Sequence, residues 1–216
     1  MAFLASDNTS NVSPEIMEAL NRANIGHARP YGADEYTFRL TEQFRLLFQH
    51  DELLAFPVFN GSAANSAALA SLVKPYELVV GHHYSHIGRD ECGMPEFFTG
   101  GKILGVSGDL GKIDLCDLDR VLRLASHAGV HHSRPRAVSV TQSTEVGTIY
   151  SIEEIEKISA VAKEHDLHLH MDGARFANAV SSLGCRPADM TWKCGVDVLS
   201  FGGTKNGDVG GSGHLL

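Results

Sequence analysis

Leu167-His168-Leu169-His170-Met171-Asp172-Gly173-Ala174-Arg175 decides how the fold is read. Leu167, Leu169 and Met171 alternate with two histidines, which is the period of a strand. His168 and His170 therefore share one face, as packed or capped residues at the core edge rather than as ligands. The strand delivers Asp172 at its end, and a helix over 176–183 follows at once. Upstream, Ile152, Ile155, Ile158 and Ala162 form one stripe of a helix over 152–165, with Ser159 small enough to fit within it. Strands are predicted over 136–141 and 196–201 on either side. Farther out lie helices over 115–125 and 62–72 and strands over 102–106, 78–80 and 53–59, the last read as buried. Ser13-Pro14-Glu15 opens a helix that Gly26 can stop, and 34–49 reads as another. Short apolar strands alternating with helices give an α/β fold, a mainly parallel sheet covered on both faces.

Composition narrows the function classes. The 216 residues are 43% hydrophobic and carry a formal charge of −8, so a packed core is expected and a phosphate backbone is a poor partner. No nucleic acid is expected. The stretch 53–59 is the longest nearly unbroken apolar run and contains Pro57, whereas a membrane helix needs about 20 residues, so no membrane partner is expected. The N-terminus has no basic stretch leading into an apolar one, and the 4 cysteines make no Cys-x-x-Cys pair. Reduced thiols and a cytoplasmic location are the expectation.

In sheets of this kind ligands gather at the carboxyl ends of the strands. Four strand ends carry chemistry. After Phe59, Asn60-Gly61-Ser62-Ala63-Ala64-Asn65 leads into a helix, and its free N–H groups and the Ser62 hydroxyl can form a phosphate cup. Many ordinary helices also start on a Gly-Ser turn. After Val80 come His82, His83 and His86; a shared helical face for His82 and His86 would permit a metal, but His-Glu-x-x-His is absent and an imidazole can also stack on a flat ring. Asp172 can pair with a cation or simply cap the next helix, and Arg175 offers a fork of donors to an anion. After Phe201, Gly202-Gly203-Thr204-Lys205-Asn206-Gly207 places a lysine in a glycine-rich turn, where it can form a Schiff base. Phosphate cup, flat histidine, strand-end acid and lysine, in that order, describe the needs of pyridoxal 5'-phosphate (PLP).

The chain resembles the low-specificity threonine aldolases, within the aromatic amino acid β-eliminating lyase/threonine aldolase family of fold-type I PLP enzymes. The resemblance runs from Ala5-Ser6-Asp7-Asn8 to Thr204-Lys205-Asn206-Gly207. It rests also on Phe59 to Asn65, Asp90-Glu91-Cys92-Gly93, His170 to Phe176 and Phe201 to Gly207. It implies a three-layer α/β/α domain of the aspartate aminotransferase type, in a homodimer or homotetramer. It implies a PLP-dependent lyase that cleaves L-threonine, L-allo-threonine or phenylserine-type β-hydroxy-α-amino acids to glycine and an aldehyde. Another fold-type I β-eliminating lyase, or an impaired fragment, is the alternative.

Under the resemblance Lys205 bonds the cofactor aldehyde, Asp172 keeps the ring nitrogen protonated and His86 stacks on the ring. Gly61, Ser62 and Ala63 hold the phosphate, and Thr204, beside the lysine, also binds the cofactor. Ser6 and Arg175 bind the substrate carboxylate, and Tyr31 lies in a substrate-binding segment that approaches the site, within the subunit or across a dimer. His131 matches a histidine that helps the aldol chemistry; His86, His131 and a bound water all stay open as the base. The implied organisation is an N-terminal segment and helix over 1–30, a cofactor domain over 31–207 and a tail over 208–216. Family members continue past the lysine with an antiparallel strand and a small C-terminal domain. Here no Lys or Arg follows Lys205. The resemblance thus implies C-terminal truncation, with two inner strand edges left unpaired if the tail 210–216 cannot form the strand.

Overall fold

Helix starts follow local capping chemistry in the computed structural model, which describes residues 6–9, 11–208 and 213–215. Ser13 accepts the Ile16 N–H to open α1 (Pro14–Ala23), which ends short of Gly26. Asp34 accepts the Thr37 N–H to open α2 (Glu35–Phe48). The buried strand expected over 53–59 is shorter: β1 spans Phe56–Val58, at the rim of the sheet, and Phe56 is more than half exposed. Pro57 has no N–H to give to a ladder, so an edge position suits it.

Asn60, not Ser62, caps α3 (Gly61–Leu72), through a bond from the Ala63 N–H at 2.8 Å. Then come β2 (Glu77–His82), the short helices α4 (His86–Arg89) and α5 (Met94–Thr99), and β3 (Lys102–Val106). They are followed by α6 (Leu115–Ser126), β4 (Arg134–Thr141), α7 (Ile152–Glu164), β5 (His168–Gly173), α8 (Phe176–Leu183), β6 (Val198–Gly202) and β7 (Gly213–Leu215). A reciprocal capping box between Ser151 and Glu154 starts α7.

The sheet order is β1-β7-β6-β5-β4-β2-β3. Strands β2 to β6 pair in parallel, and β7 is antiparallel to both of its neighbours. Here the structure corrects the expectation of two bare inner edges. Gly213–Leu215 lies between β1 and β6, with Leu215 opposite both Phe56 and Ser200. Residues 209–212 and 216 of the tail lie outside the described residues.

Period two divides the sheet into two unlike faces. Val80, Val138, Val140, Leu169, Met171 and Leu199 join the larger core with Phe48, Leu118, Ile155 and Ile158 from the helices. The other face is smaller and more polar. Val79 and Ala137 pack there with Leu69 and Ile87. Further along it, buried His170 lies between the hydroxyls of Ser139 (2.8 Å) and Ser200 (2.9 Å). Alanine-rich α3 covers this face and packs on β5, β6 and β7. Small residues on both layers let α3 come close, and this brings its first two turns to the strand ends.

Candidate active site

The carboxyl ends of β1, β2, β4, β5 and β6 point the same way, and a pocket of about 270 Å³ opens there. Gly61 and Ser62 line it from the start of α3, His86 from α4, Asp172 from β5, and Thr204 and Lys205 from the turn after β6. Residues far apart in sequence therefore meet as the order of motifs anticipated. The β6 turn passes close to β5. A Cβ on Gly202 would come within 2.9 Å of the Ala174 backbone, so only glycine fits without a shift.

Lys205 is largely buried, with 15% of its side chain exposed. Burial first, then the Arg175 charge, push its ammonium below the ordinary lysine value. The Asp7 carboxylate lies 3.9 Å from Lys205 Nζ and accepts a bond from Arg175 Nε at 2.6 Å. Burial pulls Asp7 upward, but the Arg175 bond and the two cations outweigh it and hold the group below its usual range. Asp172 is buried; its Oδ2 accepts from Asn65 Nδ2 at 3.0 Å and its Oδ1 from the Ala174 N–H at 3.0 Å.

His86 donates from Nδ1 to Glu91 Oε1 at 2.8 Å, and this bond is the main reason its imidazole is held above the ordinary histidine value. Its backbone N–H bonds Glu145 Oε1 at 2.7 Å. His82 and His83 do not share a helical face with His86. They sit at and beyond the end of β2, and their rings bond the carbonyls of Gly108 and Val106. The shared helical face considered for His82 and His86 is thereby overturned.

Other expected site residues lie elsewhere. His131 is on the opposite side of the sheet's long axis: it precedes the amino end of β4 and lines a separate hollow with Leu78, Lys102 and His132. This corrects its expected part in the chemistry of this pocket, because β4 runs its length between the two. Tyr31 is fully exposed and outside the pocket lining. Ser6 is exposed, and its hydroxyl accepts the Asn8 N–H at 3.2 Å in a local turn. The Ala63 N–H serves the Asn60 cap, which leaves Gly61 and Ser62 as the open end of the cup.

Sequence reasoning had assigned no role to Asn65, Glu91, Glu145 or Asp7. Asn65 lies one turn beyond Gly61 on the same helical face, a signal that periodicity offers. Glu91 and Glu145 reach the site through loops that have no period to read. Asn65 Oδ1, Glu91 Oε2 and Glu145 Oε2 are buried and without hydrogen-bond partners among the described residues. Such atoms are costly unless a ligand or water meets them.

A family model described as beta-eliminating lyase matches residues 4–213. The low-specificity L-threonine aldolase of Pseudomonas aeruginosa is 48% identical over 213 residues, covering 98% of this chain and 61% of that protein. The Escherichia coli low-specificity L-threonine aldolase is 27% identical over 194 residues, 90% of this chain and 56% of that one. Among solved structures, a threonine aldolase from Leishmania major matches with a TM-score of 0.90 at 28% identity, covering 98% of this chain and 61% of that one. The chain spans less than two thirds of the length of each of these relatives.

Proposed function

The chain belongs to the beta-eliminating lyase family, and from that premise we propose that it is the cofactor-binding part of a PLP-dependent aldehyde-lyase. Its three-layer α/β/α fold with a mainly parallel sheet is that of fold-type I PLP enzymes, and enzymes of this family use PLP in general. The substrate class is a β-hydroxy-α-amino acid such as L-threonine, L-allo-threonine or a phenylserine, and the products are glycine and an aldehyde. The observation that carries the reading is one pocket lined by Lys205, Asp172 and His86 at the mouth of an α3 N-terminus.

The residues fit the group. Three buried oxygens at the pocket wall lack partners among the described residues, and the wall offers an amine, a carboxylate, a flat ring and the N-terminal end of a helix. Gly61, Ser62 and Thr204 would hold the phosphate, Asp172 the ring nitrogen, His86 the ring face and Lys205 the aldehyde carbon. When bound, PLP supplies a sink for the electron pair left at the substrate's Cα after the Cα–Cβ bond breaks.

The chain's own groups do the rest. Asp172 is anchored by Asn65 and the Ala174 N–H, so its charge stays fixed where a protonated ring nitrogen needs a counter-charge. Burial favours the neutral amine of Lys205, the form that attacks a carbonyl or takes up a proton. Arg175 is turned into the pocket, and its bond to Asp7 is made through Nε, so the outer arms of its fork can take a carboxylate. For the β-hydroxyl proton this reading keeps His86, which lines the pocket, and a bound water as the bases. In the same reading the protein is a cytoplasmic homo-oligomer, which its 4 free cysteines suit.

The test adds PLP to the purified chain and follows absorbance and glycine release. A visible chromophore that Lys205→Ala abolishes, with glycine and acetaldehyde formed from L-threonine, is the expected result. No lysine-dependent chromophore would overturn the cofactor reading, and a chromophore without glycine would overturn the lyase reading for this chain.

A further inference from the structure

Glu91 is a carboxylate with none of its side chain exposed, in a loop with no helix or strand to require it there. A charge taken out of water survives only with close partners. Its Oε1 has two: His86 Nδ1 at 2.8 Å and Asn65 Nδ2 at 2.7 Å. The same Asn65 amide donates to Asp172 Oδ2 at 3.0 Å. One buried amide on α3 thus joins two carboxylates from different parts of the chain, and a histidine hangs from one of them.

The bond to an ionised carboxylate also requires hydrogen on Nδ1 of His86. The backbone of His86 is held separately, by Glu145 Oε1, which also accepts the Thr141 hydroxyl at 2.8 Å. The charged groups that face His86 are Glu91, Asp172 from β5, Lys205 from the turn after β6 and Glu145 from the loop after β4. Of these, only Glu91 bonds the ring.

We propose that Glu91 is a positioning residue: it fixes the His86 imidazole through Nδ1 and, through the Asn65 amide, couples it to Asp172 as one unit. The ring-facing imidazole and the nitrogen-facing carboxylate then keep a set spacing before any ligand arrives. The idea rests on the cofactor reading for its purpose, but the linkage belongs to the bare protein and can be measured there.

Histidine ring nitrogen NMR on the chain without cofactor, with His86→Gln to assign the signal, reads the linkage directly. In the unmodified chain His86 is expected to carry hydrogen on Nδ1 and to titrate above an ordinary histidine. Glu91→Gln, close in shape but uncharged, should move that midpoint downward, whereas Glu153→Gln, at an exposed position of α7, should leave it in place. PLP should then bind Glu91→Gln roughly tenfold more weakly, the loss expected of one charged hydrogen bond.

A His86 that carries its hydrogen on Nε2 alone, or titrates at the ordinary value, overturns the proposal even if Glu91→Gln fails to fold. An unchanged midpoint in folded Glu91→Gln overturns it as well. Should the midpoint shift while the unmodified chain binds no PLP, the linkage stands and the cofactor reading falls. Should PLP bind equally to both chains with no shift, the reverse holds.

Discussion

Lys205 and Asp7 form a pair whose charges work against burial. Asp7 supports the ammonium form that desolvation and Arg175 oppose. Asp7→Asn should therefore lower the Lys205 titration midpoint further, seen as faster labelling of Lys205 by an amine reagent at fixed pH. His170 tells the opposite story. It is fully enclosed between Ser139 and Ser200, and burial pushes it well below the ordinary value. The unfolded chain takes up this proton near pH 6.5, while the folded chain resists it. Stability held at neutral pH is thus lost as pH falls below about 6.5. Thermal melts should show a steeper loss between pH 6.5 and 5 in the parent than in His170→Gln. At this scale Lys205 and Asp172 were legible as residues just beyond readable strands, whereas His82, His83 and His86 all follow β2 and only the resemblance singled out His86. Glu91 stayed hidden because nothing local says which way a loop carboxylate turns.

Elements whose ends are capped by near neighbours were legible nearly to the residue. The Ser151–Glu154 box marks α7, and Ser151→Ala should cost about 1 kcal/mol in chemical denaturation. Gly195, with φ of +93°, shows a different constraint, since a Cβ there would overlap the Ser159 side chain of α7. Gly195→Ala should cost about 1–3 kcal/mol by the same measurement, from backbone strain with the clash added. Strand β1 was misjudged because an apolar run looks the same at a sheet rim as at its centre. Neither Pro57 nor Leu54, which is 60% exposed, settles the point without the strand's neighbours.

At the level of the whole molecule, large apolar side chains remain in water. Phe97 and Phe98 of α5 contact each other edge to face at 5.3 Å while 81% and 60% exposed, and Phe59 is 82% exposed. Surfaces of this kind favour association. Light scattering on the purified chain should find species larger than 23.3 kDa, and Phe97→Glu should shift the distribution toward the monomer.

The sequence by itself determined the alternation of strands and helices, the capped helix starts and the presence of a lysine, an aspartate and a group of histidines just beyond strands. Those features depend on period, on caps three residues away and on short motifs, all of them local. Only the tertiary structure decided that His86 shares the pocket and His131 does not. It also placed Gly213–Leu215 between β1 and β6, and it showed that one Asn65 amide ties Glu91 to Asp172. Each depends on strand order and on how closely α3 approaches the sheet, and these are set by packing between segments that pattern alone does not bring together.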